Sequence, residues 1–450
     1  MHHEMPEPVS SDEEEGDSNL TIDEYLIAAG GFGRYQFGLM WILGFGCYAG
    51  SIIQTIQLVF IEKKLELEMG PISDLAHSAL FLGWGVLSPF LIGFSDTWGR
   101  KPVIMIAWFG IIFTSLFNSM CEHPYCFVVS RGVLGAFLGA EESVAYVLLV
   151  EFMPPQERGN VTIIISTLSS LTIIILSYCS YILSNYSWRV QLLIETIPTL
   201  VLLLFCSLFP AVLLESPRYL LETGSPSEAL KVLQQVALTN RVVLPTMREK
   251  EYLVAAVVAT KDKSSRFWMF FGKELRGKSF AVFFSWFTVT MTYYGLSFAV
   301  NDLVGSVYIN MSLMALVELP AFPLCNFVIN DPRCGRRGAQ IFFFMVAGIA
   351  LVSLAVFDES YSTFLALVGK FGSSAAFAVV YLYTAEIFPT TIRGTALGIC
   401  NVFARTGGIV APFLTEFALP VTFTCFGSAC ILAATSTYLF LPETLGKSLS

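Results

Sequence analysis

The stretch EFMPPQERG, Glu151 to Gly159, decides the fold because it occurs twice: EIFPTTIRG follows at Glu386 to Gly394. Both copies place Glu, Pro, Arg and Gly at the same offsets, and both come directly after a long apolar run. A basic turn precedes each copy, and a Pro/Glu exit signal ends each half: Gly99-Arg100-Lys101 and Gly335-Arg336-Arg337, then Glu215-Ser216-Pro217-Arg218 and Pro442-Glu443-Thr444. The chain is therefore predicted to be two copies of one membrane unit.

The composition agrees with a bilayer location. The 450 residues are 55% hydrophobic and only 14% charged, and the mean hydropathy is +0.67. That is too apolar for a soluble globular protein. The formal charge of -9 has a local origin, because residues 1–24 hold nine acids and no Lys or Arg. Such a charge run is typical of a disordered, solvated tail; a regulatory or partner-binding tail is the alternative.

Twelve runs are long enough to cross about 30 Å of hydrocarbon, which takes roughly 20 residues each. The sequence therefore predicts an all-α membrane protein with 12 transmembrane helices in two pseudo-symmetric six-helix bundles. Parallel halves of this kind build secondary transporters whose substrate site lies between the halves. The predicted segments are an acidic tail 1–30, bundles 31–213 and 279–443, a linker 214–278 with amphipathic helices, and a tail 444–450. The runs cover 35–60, 77–95, 103–120, 127–150, 161–183, 190–213, 279–300, 304–329, 339–357, 361–384, 395–417 and 419–441.

Lys and Arg in short loops predict the orientation, because they prefer the cytoplasmic side. Most of them fall on one side, which makes both termini cytoplasmic; the main exceptions are Lys63, Lys64 and Arg189. The residues on the predicted cytoplasmic side are Arg34, Arg100, Lys101, Arg158, Arg333, Arg336, Arg337, Arg393 and Lys447, with the basic residues between Arg218 and Lys278.

The linker carries one helix signal and one misleading motif. Ser225-Pro-Ser-Glu228 is a capping box that opens an amphipathic stretch through Leu230, Leu233 and Ala237. Residues 272–279, GKELRGKS, match the pattern of a phosphate-binding loop. That loop must join a buried strand to a helix in an α/β domain. Here it runs into a membrane span, so we expect no nucleotide and no nucleic acid as partners.

Cysteines carry little signal. Most of the ten are scattered singly through predicted spans, where each is expected to be a small packing residue. Cys121 and Cys126 bracket an external turn, so a disulfide between them stays open.

Several motifs together carry a family resemblance. The chain resembles the major facilitator superfamily, and within it the organic ion transporters of solute carrier family 22 and the related synaptic-vesicle-2-like proteins. The resemblance implies twelve spans, alternating access, no enzymatic activity, no cofactor and no metal. The motifs are GFGRYQ at Gly31, GFSDTWGRK at Gly93, RGVLGAFLGA at Arg131, EFMPPQERG, ESPRYLL, WFTVTMTYYGL at Trp286, LVELPA at Leu316, GKFGSSAAF at Gly369, YLYTAEIFPTTIRG and LPETLGK.

The chain departs from the organic ion transporters in two places. Only residues 61–76 are available where those proteins carry a long, cysteine-rich loop, and this favours the vesicle-protein branch. The second half reads DPRCG at Asp331, one residue longer than DTWG at Asp96. Asp331 is therefore in doubt as the counterpart of Asp96.

The paired motifs also predict a gate. A Gly lets a tight turn form between two spans, and basic residues in the turn can pair with carboxylates at neighbouring span ends. The alternative is that these charges only set topology, because exposed pairs are weak; the resemblance favours a cytoplasmic gate. Its candidate residues are Asp96, Arg100, Glu151, Arg158 and Glu215 in the first half, with Arg336, Glu386, Arg393 and Glu443 in the second.

Ionisable residues inside the spans point to substrate chemistry, since each costs about 2.5 to 3.5 kcal/mol at a helix centre on insertion scales. Arg131 and Lys370 lie at equivalent places in the fourth and tenth spans, where a structural role suffices. Glu318 could pair with either one. Glu142, with Glu141 beside it, could bind a cationic group, accept a co-transported proton or neutralise Arg405.

Arg405 is the sharpest substrate candidate. It lies at mid-depth in the eleventh span, beside Gly407 and Gly408, where small residues are expected to leave room for a ligand. In the resembling family this position is acidic in transporters of organic cations and basic in transporters of organic anions or carnitine-like zwitterions. A planar guanidinium can grip a carboxylate with two hydrogen bonds.

Aromatic residues are predicted to complete the pocket, because rings stack on organic bodies and hold cations by their faces. Each could instead be a packing or interfacial residue. The predicted set around Arg405 is Tyr146, Trp286, Tyr293, Tyr294, Tyr381 and Tyr383.

The sequence thus predicts a secondary transporter of small organic ions in a lipid bilayer, with an anion or a zwitterion favoured. The coupling ion, H⁺ or Na⁺, stays open. We expect the plasma membrane, with a vesicle membrane as the alternative. The second hypothesis is a transporter-like vesicle or sensor protein that binds ligands or partners with little transport.

Overall fold

A computed structural model describes residues 22–154, 156–243, 270, 272, 275–355, 357, 359–388 and 390–446. Most of the predicted acidic tail, the middle of the linker, Lys447 and the side chain of Arg158 lie outside the described residues. The described residues form an all-α fold of the predicted kind.

The first half consists of six long helices, α2 to α7, with a short helix before them and two after them. Their bounds are α1 Ile22–Ala28, α2 Arg34–Met69, α3 Ser73–Trp98, α4 Arg100–Met120, α5 Pro124–Glu151, α6 Arg158–Ile182, α7 Trp188–Leu208, α8 Pro217–Glu222 and α9 Pro226–Asn240.

The second half repeats the six long helices as α10 to α15. Their bounds are α10 Arg276–Phe298, α11 Val307–Asn330, α12 Gly335–Ser353, α13 Ser362–Ile387, α14 Thr390–Thr415 and α15 Leu419–Phe440. Residues 277–279, the end of the phosphate-loop match, belong to the first turn of α10.

Eleven of the described helices are long and apolar enough to cross a membrane. The twelfth predicted span, α10, has 23 residues but is rich in Ser, Thr and Tyr. Most of its residues are buried against other helices, so α10 needs less apolar surface than a helix that faces lipid.

Small residues bring neighbouring helices into close contact. A Cβ atom built on Gly83 would lie 1.7 Å from the carbonyl oxygen of Gly132, and one built on Gly135 would lie 2.0 Å from that of Leu80. These distances leave no room for a side chain where α3 crosses α5. Close approach at small residues is the usual way in which membrane helices gain packing energy.

The linker helix α9 packs against the start of α2. Asn240 accepts a hydrogen bond from the backbone N–H of Tyr35 at 2.9 Å and donates to the carbonyl of Ala29 at 2.8 Å. The predicted amphipathic helix is present, with Leu233 and Ala237 buried. The side chain of Ser225, however, makes no capping hydrogen bond.

The two halves meet mainly through α6 with α11 and α3 with α14. We call the end of the bundle that carries Arg34, Arg100 and Arg336 the basic end, and the other the opposite end. At the opposite end, Asn301 donates to the carbonyl of Val59 at 3.0 Å. The rings of Phe60 and Tyr308 stack there with centroids 5.6 Å apart, and those of His77 and Phe298 lie 4.1 Å apart. The halves are thus closed at the opposite end.

The same helices separate toward the basic end. Gly85 of α3 touches Arg405 of α14, with 2.9 Å between its constructed Cβ and the Arg405 Cβ. Eight and seven residues further toward the basic end lie Gly93 and Gly398, about 10 to 12 Å along their helices. Both are exposed, and a Cβ atom on either would meet open space. No contact among the described residues therefore joins α3 and α14 at these two positions, and in this sense we call the structure open at the basic end.

Candidate transport site and basic-end clusters

The centre of the site is a contact between the halves. The guanidinium carbon of Arg405 lies 3.7 Å from the ring centroid of Trp84, which is a cation–π contact between α14 and α3. Arg405 remains partly exposed. One face of the guanidinium is therefore covered by an aromatic ring, and the hydroxyl of Tyr294 lies within hydrogen-bonding reach of the same side chain.

The expected role of the neighbouring glycines is wrong. A Cβ atom on Gly407 would lie 2.3 Å from the carbonyl oxygen of Phe287, and one on Gly408 would lie 2.6 Å from the ring of Phe81. Gly407 therefore lets α14 approach α10, and Gly408 lets it approach α3. Neither glycine opens space for a ligand.

Glu142 of the first half faces the same region. It interacts electrostatically with Arg405, yet no salt bridge joins these two described side chains. A gap thus separates a carboxylate on α5 from a guanidinium on α14. That arrangement can receive a molecule carrying both charges.

Tyrosines surround the gap. Tyr381 and Tyr294 lie within electrostatic reach of both Glu142 and Arg405. Tyr146 is close to Tyr381, and these two side chains are 36% and 40% exposed respectively. Tyr146 of the first half and Tyr381 of the second thus expose ring surface beside the gap, and we call this region the cavity.

Two of the predicted pocket aromatics lie behind this cavity. Trp286 is fully buried, donates from Nε1 to the hydroxyl of Thr384 at 2.9 Å, and packs edge-on against Tyr381 with centroids 4.3 Å apart. Tyr293 packs under Lys370, whose Nζ lies 3.2 Å from the ring centroid. Both residues are placed to orient cavity side chains. Tyr383 is also buried and donates to the carbonyl of Pro442 at the basic end.

Glu318 pairs with Lys370. The sequence alone leaves open whether its partner is Arg131 or Lys370. The carboxylate and ammonium lie 3.3 Å apart, and each side chain is only 1% exposed. Lys370 also donates to the hydroxyl of Ser297 at 2.9 Å. Across the interface, Ser170 of α6 donates to Glu318 at 2.5 Å. The buried pair in the second half is therefore tied to the first half.

Arg131 is the equivalent buried cation of the first half, and its environment differs. It is fully buried and donates from Nη2 to the carbonyl oxygen of Gln54 at 3.0 Å. Its Nε and Nη1 have no hydrogen-bond partner in the described part of the chain.

The first basic-end cluster joins several elements of the first half. The guanidinium of Arg100 lies 3.4 Å from Asp96 and 3.3 Å from Glu151, and stacks 4.8 Å from the ring centroid of Tyr219. Glu215 accepts hydrogen bonds from the backbone N–H groups that open α4. A Cβ atom on Gly99, which has φ +102°, would lie 2.3 Å from the Glu215 carboxylate, so only glycine fits the turn.

The second cluster repeats this geometry. Arg336 pairs with Glu386 at 3.2 Å, and Glu443 accepts from the backbone N–H groups that open α12. Gly335, with φ +62°, would place a Cβ atom 2.4 Å from Glu443. Asp331 instead accepts from the backbone of Arg333, so Asp331 does not take the place of Asp96.

Each cluster lies within its own half: the Arg100 cluster in the first half and the Arg336 cluster in the second. In Arg393, Nε and Nη2 have no partner in the parts of the chain that the structure describes. The role of the clusters as a gate stays a prediction.

The thiols of Cys121 and Cys126 are free, with their sulfurs 3.5 Å apart.

A family comparison identifies the class of protein. The model for "Sugar (and other) transporter" matches residues 42–450. The chain belongs to this transporter family. It is therefore a multi-pass membrane transporter, and not an enzyme.

Curated relatives narrow the resemblance. The transporter is 32% identical to a solute carrier family 22 member 15-like protein of Xenopus laevis, over 84% of this chain and 77% of that protein. It is 30% identical to the organic cation transporter protein of Drosophila melanogaster, over 82% and 68%. It is 25% identical to the synaptic vesicle 2-related protein of Rattus norvegicus, over 96% and 83%.

A solved structure confirms the fold. The transporter matches the xylose transporter XylE from E. coli, in a partially occluded inward-open conformation, with a TM-score of 0.70 and 16% identity. The match covers 92% of this chain and 100% of that chain. XylE is described as a major facilitator superfamily protein, so the predicted major facilitator fold is confirmed.

Sequence reasoning missed two cavity residues of the transporter. Trp84 covers Arg405 from the other half, and Tyr48 lies within electrostatic reach of Glu142, Tyr146 and Tyr381. Tyr48 directly follows a π-helical segment, Met40–Cys47. Such segments are frequent at functional sites. The glycines at 44, 46 and 50 were an available signal.

Proposed function

We propose that this transporter moves a small organic ion that carries an anionic group, by alternating access between the two halves. The observation that carries the proposal is Arg405 at the interface, stacked on Trp84 of the other half and partly exposed. A guanidinium inside a membrane span is costly. It favours a ligand whose carboxylate or sulfate replaces the lost hydration with two charged hydrogen bonds.

Glu142 extends the proposal to a zwitterion of the carnitine type. Its carboxylate faces the gap opposite Arg405, and the rings of Tyr146, Tyr294 and Tyr381 surround the gap. A quaternary ammonium group fits such a mixture of rings and carboxylate, since aromatic faces attract cations. A purely cationic substrate would meet the guanidinium of Arg405, which disfavours it.

The proposed cycle follows from the two ends of the bundle. The described state is closed at the opposite end by Asn301 and Tyr308 and open at the basic end around Gly93 and Gly398. We place the basic end and both termini in the cytoplasm, because Lys and Arg prefer that side. The state is then inward-facing. The clusters of Arg100 and Arg336 are intact in this open state, each within its own half, so they act as the cytoplasmic gate through contacts that they make across the halves when the basic end closes. The plasma membrane is the proposed location.

Uptake into proteoliposomes tests the substrate class. L-carnitine, succinate and tetraethylammonium represent a zwitterion, an anion and a cation. We expect saturable uptake of L-carnitine or succinate, abolished in Arg405→Ala and weakened further in Arg405→Asp. Arg189→Ala is the matched control, because Arg189 pairs with Glu68 at the opposite end. Unaltered affinity and rate in Arg405→Ala would assign Arg405 a structural role; Arg405→Ala with Glu142→Gln would then restore any lost folding yield.

A vesicle or sensor protein with little transport is the second candidate. The connection between α2 and α3 is only residues 70–72, and the rat synaptic vesicle 2-related protein is similar over nearly the whole chain. Ligand binding without saturable uptake of any of the three compounds would favour this candidate.

A further inference from the structure

We propose that Glu141 is a proton-binding site of this transporter and that its proton exchanges with the central cavity beside Glu142. The proposal rests on the proposed transport function and names H⁺ as the coupling ion. Glu141 plays no part in the cavity itself, because its side chain points away from it and is fully buried.

Glu141 has no cationic partner among the described residues. Glu141 lies in the middle of α5, inside the first half. No Lys, Arg or His of the described residues forms a salt bridge with it. The titratable groups that face it are the thiol of Cys47 on α2 and Glu142 on its own helix, and Cys206 on α7 lies beyond Cys47. An unpaired carboxylate in such a place loses several kcal/mol of hydration. Holding a proton removes that cost.

Hydrogen-bonding groups surround the carboxyl group of Glu141. Trp108 of α4 donates from Nε1 to Oε1 of Glu141 at 2.7 Å. The hydroxyl of Ser51 on α2 lies 3.2 Å from Oε2. An indole N–H can only donate, whereas a hydroxyl can donate or accept. The thiol of Cys47 also lies within hydrogen-bonding reach of the carboxyl group. Of the two oxygens, Oε2 can carry the proton, because a protonated Glu141 can donate to Ser51 there and an ionised Glu141 can accept from it.

This donor set distinguishes a proton from a metal cation. A Na⁺ ion needs several oxygen ligands, and one of the two carboxylate oxygens already accepts the N–H of Trp108. A Cβ atom on Gly50 would lie 3.1 Å from the hydroxyl of Thr199 and 3.7 Å from Glu141. The space beside the carboxyl group is therefore close-packed, which suits a proton.

The proposed route runs through Glu142. Adjacent residues of a helix project about 100° apart, so Glu141 faces the interior of the first half while Glu142 faces the cavity. Glu142 is partly exposed and interacts with Arg405. The two carboxyl groups interact electrostatically, so in the proposal Glu142 is the neighbouring group through which a proton exchanges between the cavity and Glu141. A substrate anion bound to Arg405 weakens the attraction between Arg405 and Glu142. Substrate binding at Arg405 is thereby coupled to proton binding at Glu141.

A pH gradient across proteoliposomes tests the coupling. With the membrane potential clamped at zero and one proton per cycle, a difference of one pH unit can drive at most about tenfold accumulation of L-carnitine. We expect accumulation in the wild type and a ratio of about one in Glu141→Gln, with L-carnitine exchange at equal pH retained. Gln can still accept from Trp108 and donate to Ser51. Glu195→Gln is the matched control, because Glu195 is another buried carboxyl of this half bonded to a serine.

Infrared spectroscopy gives a readout that needs no substrate. A protonated carboxyl has a C=O band, and the wild type minus Glu141→Gln difference spectrum at pH 7 should contain one. If none of the three compounds is transported, this band still decides whether Glu141 holds a proton. The proposal is overturned if the band is absent, if Glu141→Gln still accumulates L-carnitine, or if the wild type exchanges L-carnitine without responding to the pH gradient.

Discussion

Arg131 and Lys370 occupy equivalent places in the two halves, yet within the described part of the chain only Lys370 has a carboxylate partner. Lys370 lies 3.3 Å from Glu318, whereas Arg131 donates to a backbone carbonyl. The first half also buries a carboxyl group, Glu141, but holds it with Trp108 and Ser51. The second half thus neutralises its buried charge internally. In the first half, the cation Arg131 and the acid Glu141 do not pair with each other, so each can interact with another group.

The difference matters because a buried pair and a buried single charge respond oppositely to substitution. Removing one partner of a buried pair leaves the other charge buried without a partner, which is strongly destabilising. Removing a single charge relieves its desolvation and loses only its hydrogen bonds. The same repeat unit therefore supports a rigid core in one half and a titratable core in the other.

The largest expected effect is that of Lys370→Met. It leaves Glu318 unpaired, and we expect the free energy of unfolding to fall by about 3 to 5 kcal/mol. Thermal unfolding in detergent measures it. The double change Lys370→Met with Glu318→Leu should recover most of the loss, and its failure to do so would contradict the assignment of the pair.

Arg131→Met is expected to be milder. It removes one charged hydrogen bond to Gln54 and a desolvated charge, so the unfolding free energy should change by no more than about 1.5 kcal/mol. The same thermal assay applies, with Lys370→Met as the reference. A loss as large as that of Lys370→Met would show that Arg131 is held by a partner as strong as Glu318.

The two basic-end clusters offer a matched pair of substitutions. Arg100→Ala and Arg336→Ala should each destabilise their own half by about 1 to 3 kcal/mol. Arg100→Ala should lose about 0.5 to 1 kcal/mol more, because Arg100 also stacks on Tyr219.

The same variants test the gate. A cysteine at Gly93 reports access from the basic end, where that residue meets open space. If the clusters stabilise the state closed at the basic end, both variants should increase labelling of Gly93→Cys. Unchanged labelling in well-folded variants would leave the clusters with a purely structural role.

The smallest expected effect concerns pH. Burial raises the pKa of Glu215 above its ordinary value of 4.5, and the backbone N–H groups that donate to it offset this only in part. Burial also acts on Glu443, but four backbone N–H groups hold the pKa of that carboxyl below its ordinary value. The ionised form is thus disfavoured by folding at Glu215 and favoured at Glu443.

The two carboxyl groups therefore change stability with pH in opposite directions. Ionised Glu215 costs stability above its raised pKa, and that cost disappears as the pH falls through this pKa. Ionised Glu443 contributes stability above 4.5 that is lost as the pH falls through its lowered pKa. As the pH falls, the difference in melting temperature between wild type and Glu215→Gln should begin to change while the pH is still above 4.5, whereas that for Glu443→Gln should stay constant until below 4.5. The reverse order would contradict this contrast.

Much of the fold could be predicted from local patterns. The Glu-Pro-Arg-Gly repeat identified the two halves, and the apolar runs located the helices. The span α10 shows where the pattern weakens, because a helix inside the bundle can carry Ser, Thr and Tyr. Within the site, Arg405, Glu142, Tyr146, Tyr294 and Tyr381 were predicted together and lie together. Trp84 and Tyr48 were missed because their role depends on what faces them.

The sequence by itself determined the number of halves, the helical class and the depth of each charge, because hydropathy and turn residues act along one chain segment at a time. Only the tertiary structure decided which charges meet. Glu318 could have served Arg131 or Lys370, and the packing of α11 against α13 gave it to Lys370. The same packing surrounded Glu141 with Trp108 and Ser51, with no cation among the described residues paired to it, and set Arg405 on Trp84 of the other half. A contact between two helices depends on how they cross, and that is a property of the packed bundle.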